Sequence, residues 1–308
     1  MNPLLLAILG PTASGKSALA MRVAEQSKGE VINCDAMQMI RYLEVGTAKP
    51  SREERLRVPH HLYDIVDPDE RYSAGRYVVD ARRVCREITG RGHLPIVVGG
   101  TGLYLRVLLD GIFAGPARSE EIRARLRNIA SRKGSSYLHR ILERKDPKAA
   151  LKIEEKDLIR LVRALEVCFV TGEPISALHG QKEPLKGYSV LKLGLDMPRQ
   201  DLYDRINRRV EKMFESGLLE EVEALIEKGY RPAAKGFEAI GYRYAVAVLR
   251  GEMRGVEAIE LTQRDTRRYA KRQLTWFRKE EDVEWISGPG ESLKAGEAAM
   301  ALLGGMVE

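Results

Sequence analysis

The stretch Leu4-Leu5-Leu6-Ala7-Ile8-Leu9-Gly10-Pro11-Thr12-Ala13-Ser14-Gly15-Lys16-Ser17 decides the fold of this 308-residue chain. Its first six residues are all apolar, which is typical of a buried strand and far too short for a membrane span. The residues Gly10–Ser17 match the phosphate-binding P-loop pattern, and a helical pattern begins directly after them. Strand, glycine loop and helix in this order predict a site for a di- or triphosphate.

Each residue type in this loop has a physical role. Gly10 and Gly15 allow backbone conformations that point several N–H groups at one anion. The positive end of the helix dipole and the Lys16 ammonium attract phosphate, and the Ser17 hydroxyl can bind Mg²⁺. The alternative is a chance glycine turn, which the strand and the helix on either side make improbable.

Other short apolar stretches alternate with helical patterns along the first part of the chain. Glu30–Asp35, Pro95–Gly100 and, much later, Ser189–Asp196 have the composition of buried strands. Continuous apolar strands that alternate with helices predict a parallel, doubly wound α/β sheet.

Asp35 and Thr101 are candidate functional residues because each follows a predicted strand. Ligands of open α/β sheets bind at the carboxyl ends of the strands, and we expect the Asp35 strand to lie next to the P-loop strand. The alternatives are a turn role for Asp35 and a helix N-cap for Thr101. The strand before Thr101 lacks the final carboxylate that P-loop phosphoryl-transfer enzymes use for Mg²⁺. Its Gly99 and Gly100 would instead let a bulky group approach the backbone.

Between residues 115 and 188 only helical patterns occur. We therefore predict an all-helical insertion over 115–188 in a P-loop core made of 1–114 and 189–308. Within residues 118–163 there are 14 Lys and Arg against 7 Asp and Glu, and this excess of 14 − 7 = +7 equals the net charge of the whole chain. Such a segment suits a polyanion such as RNA or DNA. The alternative is an ordinary solvated helical surface.

Composition excludes several classes of protein. A hydrophobic fraction of 44% and a charged fraction of 31% are ordinary for a globular chain. No stretch approaches the ~20 apolar residues of a membrane helix, and no basic-then-apolar leader precedes the first strand. We therefore expect a cytoplasmic protein with no membrane association. The three isolated cysteines indicate a reducing compartment and no structural zinc.

Seven blocks in order resemble the tRNA dimethylallyltransferases, also called tRNA isopentenyltransferases, over nearly the whole chain. The blocks are Gly10–Ser17, Asp35-x-x-Gln38, Gly46–Pro50 with Pro59-His60, Gly99–Tyr104, Arg163–Val167, Ala239–Tyr242 and Ala270–Trp276. The sequence lacks the zinc finger that eukaryotic members append, so the resemblance is to the bacterial type.

The resemblance implies a reaction in which the P-loop holds a leaving diphosphate. Members of the family transfer the dimethylallyl group of dimethylallyl diphosphate to N6 of adenosine 37, in tRNAs that read codons beginning with U. Mg²⁺ assists. This chemistry would explain why the strand before Thr101 has no final carboxylate.

Individual roles follow from the motif positions. Asp35 would accept a hydrogen bond from the adenine amine, Thr101 would lie beside the reacting groups, and Arg209 would bind the diphosphate. The implied diphosphate-binding residues of the loop are Gly10, Thr12, Ala13, Ser14, Gly15, Lys16 and Ser17, with Ser17 also on the metal. The implied tRNA-binding residues are Asp35, Ala36, Met37, Gln38, Thr101, Arg123, Ile159, Arg160, Leu161, Val162 and Arg163, in contact with the anticodon stem-loop.

Ala36 and Ile40 depart from the family pattern, which generally has Ser and often has Tyr at these positions. A lost hydroxyl beside Asp35 bears on the orientation of that carboxylate and on the choice of prenyl donor.

Three other functions compete with prenyl transfer to tRNA. A P-loop kinase for a small metabolite would explain Gly10–Ser17 but not the basic insertion. A non-catalytic RNA-binding protein would leave Asp35, Thr101 and Arg209 without a role. An enzyme that prenylates free AMP or ADP would not need the basic surface. We expect the protein to act as a monomer.

Overall fold

The computed structural model describes residues 2–306 except 179 and 181. The chain divides into two compact units. The core unit consists of Met1–Leu108 and Leu185–Glu308, and the helical unit is Leu109–Pro184. The helical unit thus begins and ends a few residues before the predicted insertion of 115–188. No helix of the described residues is long and apolar enough to cross a membrane.

The core unit contains a six-stranded sheet whose strands are all parallel. The strands are β1 (Leu4–Leu9), β2 (Gly29–Asn33), β3 (His60–His61), β4 (Leu94–Val98), β5 (Ser189–Asp196) and β6 (Val283–Ser287), in the order β3-β2-β4-β1-β5-β6. The predicted P-loop fold class, a parallel doubly wound sheet with an all-helical insertion, is confirmed.

The order of the strands corrects one sequence-based expectation. The strand before Asp35, β2, does not lie next to β1, because β4 pairs with both and separates them. In the register of the sheet, Val98 of β4 lies beside Ile8 of β1 on one side and Asn33 of β2 on the other. The carboxyl ends of these three strands therefore meet at one level, with the P-loop at the end of β1.

Helices cover both faces of the sheet and form the helical unit. They are α1 (Lys16–Ser27), α2 (Arg52–Arg57), α3 (Ala74–Gly90), α4 (Gly102–Asp110), α5 (Glu120–Lys133), α6 (Ser135–Lys145), α7 (Pro147–Ala150), α8 (Leu158–Thr171), α9 (Ile175–Leu178), α10 (Arg199–Glu215), α11 (Leu218–Glu227), α12 (Tyr242–Leu249), α13 (Gly255–Phe277) and α14 (Leu293–Gly304).

The apolar stretch of β1 forms the centre of the core. Leu5, Leu6, Ala7 and Ile8 are each 0% exposed, and Leu6 and Ile8 pack with the inner faces of α1 and α14. Because the strands on both sides of β1 and the helices above and below it exclude water, the P-loop that follows it is held on a rigid support.

A buried carboxylate organises the helical unit. Glu166 of α8 is 0% exposed, and its two oxygens accept hydrogen bonds from both Nε and Nη2 of Arg123, each at 2.7 Å. Arg163 Nη1 donates at 2.7 Å and the Ser119 N–H at 2.8 Å. Burial alone would raise the pKa of Glu166, but these donors outweigh it and lower that pKa to about 2.

We expect Arg123→Ala to destabilise the protein by about 3–5 kcal/mol, because Glu166 would keep its charge in the interior without its bidentate partner. Arg160→Ala is the matched control, since the Arg160 side chain is 60% exposed and pairs with Asp157 at the surface. Its cost should be about 1 kcal/mol or less. Urea denaturation measures both. Equal losses of stability in the two variants would contradict the structural role of Arg123.

Candidate active site

The P-loop adopts the conformation that its glycines predict. Gly10 and Gly15 have φ angles of 145° and 90°, and the intervening Ala13 is also left-handed at 64°. A side chain at Gly10 would lie 3.0 Å from Ser14 Oγ and 3.2 Å from Leu195. The turn is tight enough that only glycine fits there without displacement of its neighbours.

A polar cavity of about 540 Å³ lies over this loop. Five of the predicted phosphate-binding residues line it, namely Thr12, Ala13, Gly15, Lys16 and Ser17. The other two, Gly10 and Ser14, do not line it. The Ser14 side chain is 1% exposed, and its N–H donates to the Pro11 carbonyl oxygen at 3.3 Å. The Ser14 side chain therefore lies inside the loop and not in the cavity, and the predicted contact of phosphate with the backbone N–H groups of the loop stays a prediction.

Four cationic side chains line the cavity, and the pKa values of two of them, Lys16 and Arg209, are lowered by burial; the other two are Arg205 and Arg208. Lys16 Nζ donates to the Pro11 carbonyl oxygen at 2.6 Å. The pKa of Lys16 is lowered to about 7, mainly because burial disfavours the charged ammonium. The negative charge of Asp35 raises this pKa, and the positive charge of Arg209 lowers it further. Burial also lowers the pKa of Arg209, against the attraction of Asp35. Both cations have lost part of their hydration, so a bound anion would gain more from them than from fully exposed cations.

The pKa of Lys16 gives a pH dependence with a definite sign. A diphosphate stabilises the protonated ammonium, so binding raises the Lys16 pKa above the value of about 7 in the free protein. The contribution of the Lys16 ammonium to diphosphate affinity is fully present below pH 7. Above pH 7 the affinity falls by up to about tenfold per pH unit. Calorimetric titration with inorganic diphosphate measures the effect, and Lys16→Arg corrects for titration of the ligand. A wild-type-to-variant affinity ratio that stays constant above pH 7 would contradict it.

Asp35 lies in a turn that is braced from several sides. Its N–H donates to Asn33 Oδ1 at 2.8 Å, and its own Oδ1 accepts from the Met37 N–H at 2.9 Å. Thr101 Oγ1 accepts from the Ala36 N–H at 3.1 Å, and the Thr101 N–H donates to the Cys34 carbonyl oxygen at 3.0 Å. The turn is thereby fixed to the loop after β4, and Asp35 lines the polar cavity.

The glycines after β4 serve a different purpose from the one that their sequence suggested. A Cβ at Gly99 would lie 2.2 Å from the backbone of Cys34, and one at Gly100 would lie 2.1 Å from Gln273 Nε2. The groups that approach this backbone belong to the chain itself, namely the Cys34 backbone and the Gln273 side chain. Gly99 and Gly100 allow the loop after β4 to lie close to the Cys34 backbone and to the Gln273 side chain of α13.

A second cavity, of about 390 Å³, adjoins the first. The two share Thr12, Asp35, Thr47 and Arg209. Most of the other residues that line the second cavity have largely apolar side chains. They are Ala36, Met37, Val210, Met213, Ala239, Ile240 and Tyr269. The site therefore combines an anion-binding compartment and an apolar compartment, with Asp35 and Arg209 in both.

The neighbouring polar residues hold the loop around Thr47. Arg209 Nη2 donates to the Thr47 carbonyl oxygen at 3.3 Å. Gln38 Nε2 donates to the carbonyl oxygens of Thr47 and Ala48, both at 3.1 Å. The amide nitrogen of Gln38 is thus engaged in the fold, and only its amide oxygen suits the predicted contact with a base.

The surroundings of Ser17 bear on the predicted metal. Among residues 2–178, 180 and 182–306, no group of three or more His, Cys, Asp and Glu side chains is placed to hold an ion. Ser17 is exposed and lines the polar cavity together with Asp35. This set suits Mg²⁺ that takes most of its ligands from a diphosphate and from water, which is how the ion is commonly bound.

The predicted tRNA-binding stretch of α8 is only partly accessible. Leu161 and Val162 are 0% and 3% exposed and belong to the core of the helical unit, so their side chains are not available for contact with RNA. That the stretch 159–163 lies near the RNA stays a prediction. Ile159 is 82% exposed, and Arg160 is exposed as well. Arg163 is half-buried on Glu166. As α8 is a helix, adjacent residues point to different faces, and only one face is free.

Two residues of α13 belong to the site although no role followed from their sequence. Gln273 is 4% exposed and lines the polar cavity, and Tyr269 lines the apolar one. The available signal was the run of polar side chains at helical spacing on the buried side of α13, where Thr262, Tyr269 and Gln273 replace the expected apolar residues. Buried polar groups of this kind need partners, which indicates a site.

Known proteins resemble this chain over its whole length. The IPP transferase family model matches residues 38–280, and the isopentenyl transferase model matches residues 3–64. A tRNA dimethylallyltransferase of Koribacter versatilis is 49% identical over 98% of both chains. One of Geobacter sulfurreducens is 48% identical over 97% of both.

Solved structures agree with these relatives. The full-length tRNA isopentenylpyrophosphate transferase of Bacillus halodurans is 39% identical and aligns with a TM-score of 0.72 over 98% of this chain and 96% of its own. A eukaryotic dimethylallyltransferase, solved acting on tRNA, is 27% identical with a TM-score of 0.82 over 99% of this chain and 79% of its own. A P-loop site with an adjoining apolar compartment and this degree of similarity identify the chain as a member of the tRNA dimethylallyltransferase family of IPP transferases.

Proposed function

We propose that this protein transfers the dimethylallyl group of dimethylallyl diphosphate to N6 of adenosine 37 in tRNAs that read codons beginning with U. The observation that carries the proposal is the pair of adjoining cavities that share Asp35 and Arg209. A polar compartment with two desolvated cations suits the diphosphate, and the apolar compartment suits the prenyl chain and a base. Both substrates would then meet at Asp35.

In the proposed reaction the adenine N6 attacks C1 of the donor while the C1–O bond breaks. The diphosphate departs with the bonding electron pair, and the proton that N6 loses passes to Asp35. Lys16 and Arg209 face the oxygens on which negative charge grows. Groups that are fixed in position before the charge develops stabilise the transition state without further reorganisation.

Mg²⁺ fits this arrangement as a partner of the diphosphate. The Ser17 hydroxyl would hold the ion together with oxygens of the ligand, and when bound it would neutralise charge on the leaving group. The P-loop would therefore act on a diphosphate that leaves, although the same motif binds nucleotides in other proteins.

The helical unit would bind the anticodon stem-loop. It carries the basic excess of residues 118–163, and the exposed Arg160 and Ile159 suit contact with a phosphate and with a base or sugar. A free mononucleotide would need no such surface, which argues against an AMP or ADP prenyltransferase. We also propose a monomeric, cytoplasmic enzyme.

Arg160→Gln should weaken tRNA binding, because a neutral side chain no longer displaces a counterion from the phosphate that it meets. The slope of log K against log salt concentration should become shallower by about 0.7–0.9. Arg57→Gln is the control, because Arg57 is a similarly exposed arginine that pairs with Glu25 in the core unit. Filter binding from low to moderate salt provides the slopes. An unchanged slope for Arg160→Gln would make Arg160 an ordinary surface residue.

A comparison of acceptors tests the proposed function. The protein is incubated with dimethylallyl diphosphate, Mg²⁺ and either unmodified tRNA, an anticodon stem-loop, AMP or ADP, and the nucleosides are separated by mass. We expect N6-dimethylallyladenosine in the two RNAs only. Prenylation of AMP or ADP alone, or product only when ATP is consumed, would contradict the proposal.

A further inference from the structure

Gln273 joins the two loops that form the candidate active site. Its Oε1 accepts a hydrogen bond from the Thr12 N–H at 2.8 Å, and its Nε2 donates to the Gly100 carbonyl oxygen at 2.9 Å. A backbone N–H can only donate and a carbonyl oxygen can only accept, so these partners fix the orientation of the amide. One buried side chain thus connects the P-loop to the loop after β4.

The two connected loops carry different halves of the proposed reaction. Thr12 belongs to the loop that would hold the diphosphate, and its N–H is used by Gln273 instead of a phosphate. Gly100 directly precedes Thr101, whose hydroxyl braces the turn of Asp35. The separation of these loops therefore sets the separation of the donor carbon and the attacking amine. A displacement of about 1 Å at such a point can cost roughly 10²-fold in rate.

The helix that carries Gln273 is suited to hold this spacing. Tyr269 lies one turn earlier on the same face of α13, and it lines the apolar cavity together with Thr101. Ala270, between them, is 0% exposed and packs against Ile206 and Val210 of α10. The same α10 carries Arg209. The support of Gln273 is therefore continuous with that of a cation of the site.

We propose that Gln273 is a positioning residue that sets the distance between the diphosphate loop and the Asp35–Thr101 loop. It acts on the rate of prenyl transfer and not on the affinity for either substrate. This inference rests on the proposed function, since prenyl transfer is the rate that it controls.

Two substitutions separate positioning from simple packing. Gln273→Met has a similar length but makes neither hydrogen bond. Gln273→Glu keeps an acceptor for the Thr12 N–H, but its second oxygen faces the Gly100 carbonyl oxygen and repels it unless the carboxyl is protonated and donates. Burial and a hydrogen bond from the protonated form both favour protonation. The Glu variant should therefore recover as the pH falls, whereas the Met variant should not.

The experiment measures single-turnover transfer to tRNA, together with the affinities for inorganic diphosphate and for tRNA. We expect Gln273→Met to lower the rate by about 10²-fold and to change each affinity by less than about threefold. The rate of Gln273→Glu relative to wild type should rise by about tenfold from pH 9 to pH 6. Gln263→Met is the matched control on the same helix, because Gln263 bonds to Asn207 and Glu211 and not to the site.

The outcomes distinguish this inference from the proposed function. If the wild-type protein forms no prenylated tRNA, the proposed function fails. If the wild type is active and Gln273→Met is within about threefold of it, or loses diphosphate affinity by the same factor as rate, the positioning role is wrong. A constant Glu-to-wild-type ratio across the pH range would likewise overturn it. Circular dichroism shows that each variant is folded before its rate is compared.

Discussion

We expect Asp35→Asn to lower the single-turnover rate of prenyl transfer by roughly 10²–10⁴-fold, the range for loss of a positioned general base. An adenine N6 amine is a weak nucleophile, because its lone pair is delocalised into the ring. Its proton becomes acidic as the new C–N bond forms. A carboxylate at this point accepts a hydrogen bond first and the proton later, and an amide cannot accept the proton.

The hydrogen bonds of Asp35 indicate that Asn can replace it without disturbing the turn. Asp35 Oδ1 holds the turn through the Met37 N–H, and the amide oxygen of Asn can keep that bond. The other oxygen, Oδ2, lies 3.7 Å from the position of a Cβ on Gly100, beside the meeting point of the loops. The variant should therefore fold as the wild type does and lose only the charge and the basic oxygen.

The measurement is a rapid-quench assay with labelled donor and excess protein, supported by tRNA binding. Asp69→Asn is the control for the lost charge, because Asp69 is exposed and does not line either cavity. Affinity for tRNA should change by less than about threefold. A rate for Asp35→Asn within about tenfold of wild type would reduce Asp35 to a hydrogen-bonding turn residue.

Lys16→Ala should lower kcat by on the order of 10²-fold or more, while tRNA binding persists. Negative charge grows on the diphosphate oxygens as the C1–O bond breaks, so the ammonium binds them more strongly in the transition state than in the ground state. Lys16 is half-buried against the loop and partly desolvated, so water in the cavity would replace its interaction only at reduced strength. Arg209→Ala should act in the same direction.

Steady-state kinetics with saturating tRNA measure the effect on kcat. Lys294→Ala, which removes an exposed charge on α14, serves as the control. An unchanged kcat in Lys16→Ala, with only a raised KM for the donor, would mean that Lys16 binds ground state and transition state equally. The role in departure of the diphosphate would then be wrong.

The local parts of the fold were predictable from the sequence because short stretches determine them. Leu4–Ser17 predicts strand, loop and helix, and the positive φ angles of Gly10 and Gly15 agree with that prediction. The strand Ser189–Asp196 has the predicted bounds. Strand β6 and helix α14 were not predicted. Val283–Ser287 is short, contains Glu284 and directly follows the acidic run 280–282, so it lacks the pattern of a buried strand.

Pairing between distant segments was not accessible in the same way. Nothing in the local sequence places β4 between β1 and β2, and the fit of Gly100 against Gln273 joins positions that are 173 residues apart. The sequence placed Arg123 in a basic, RNA-binding segment. Its partner Glu166 lies 43 residues away in the chain, so the local sequence gave no sign of the ion pair. Charge patterns identify which segment is basic, but only packing decides which arginines face the solvent.

The central claim is that the P-loop holds a diphosphate that leaves as the prenyl group moves to tRNA. The most direct test incubates unmodified tRNA with the protein, dimethylallyl diphosphate and Mg²⁺ in the absence of any nucleoside triphosphate, and measures released diphosphate and prenylated adenosine in the same sample. We predict that one diphosphate appears for each N6-dimethylallyladenosine. Absence of the modified nucleoside, or a requirement for hydrolysis of ATP, would contradict the account.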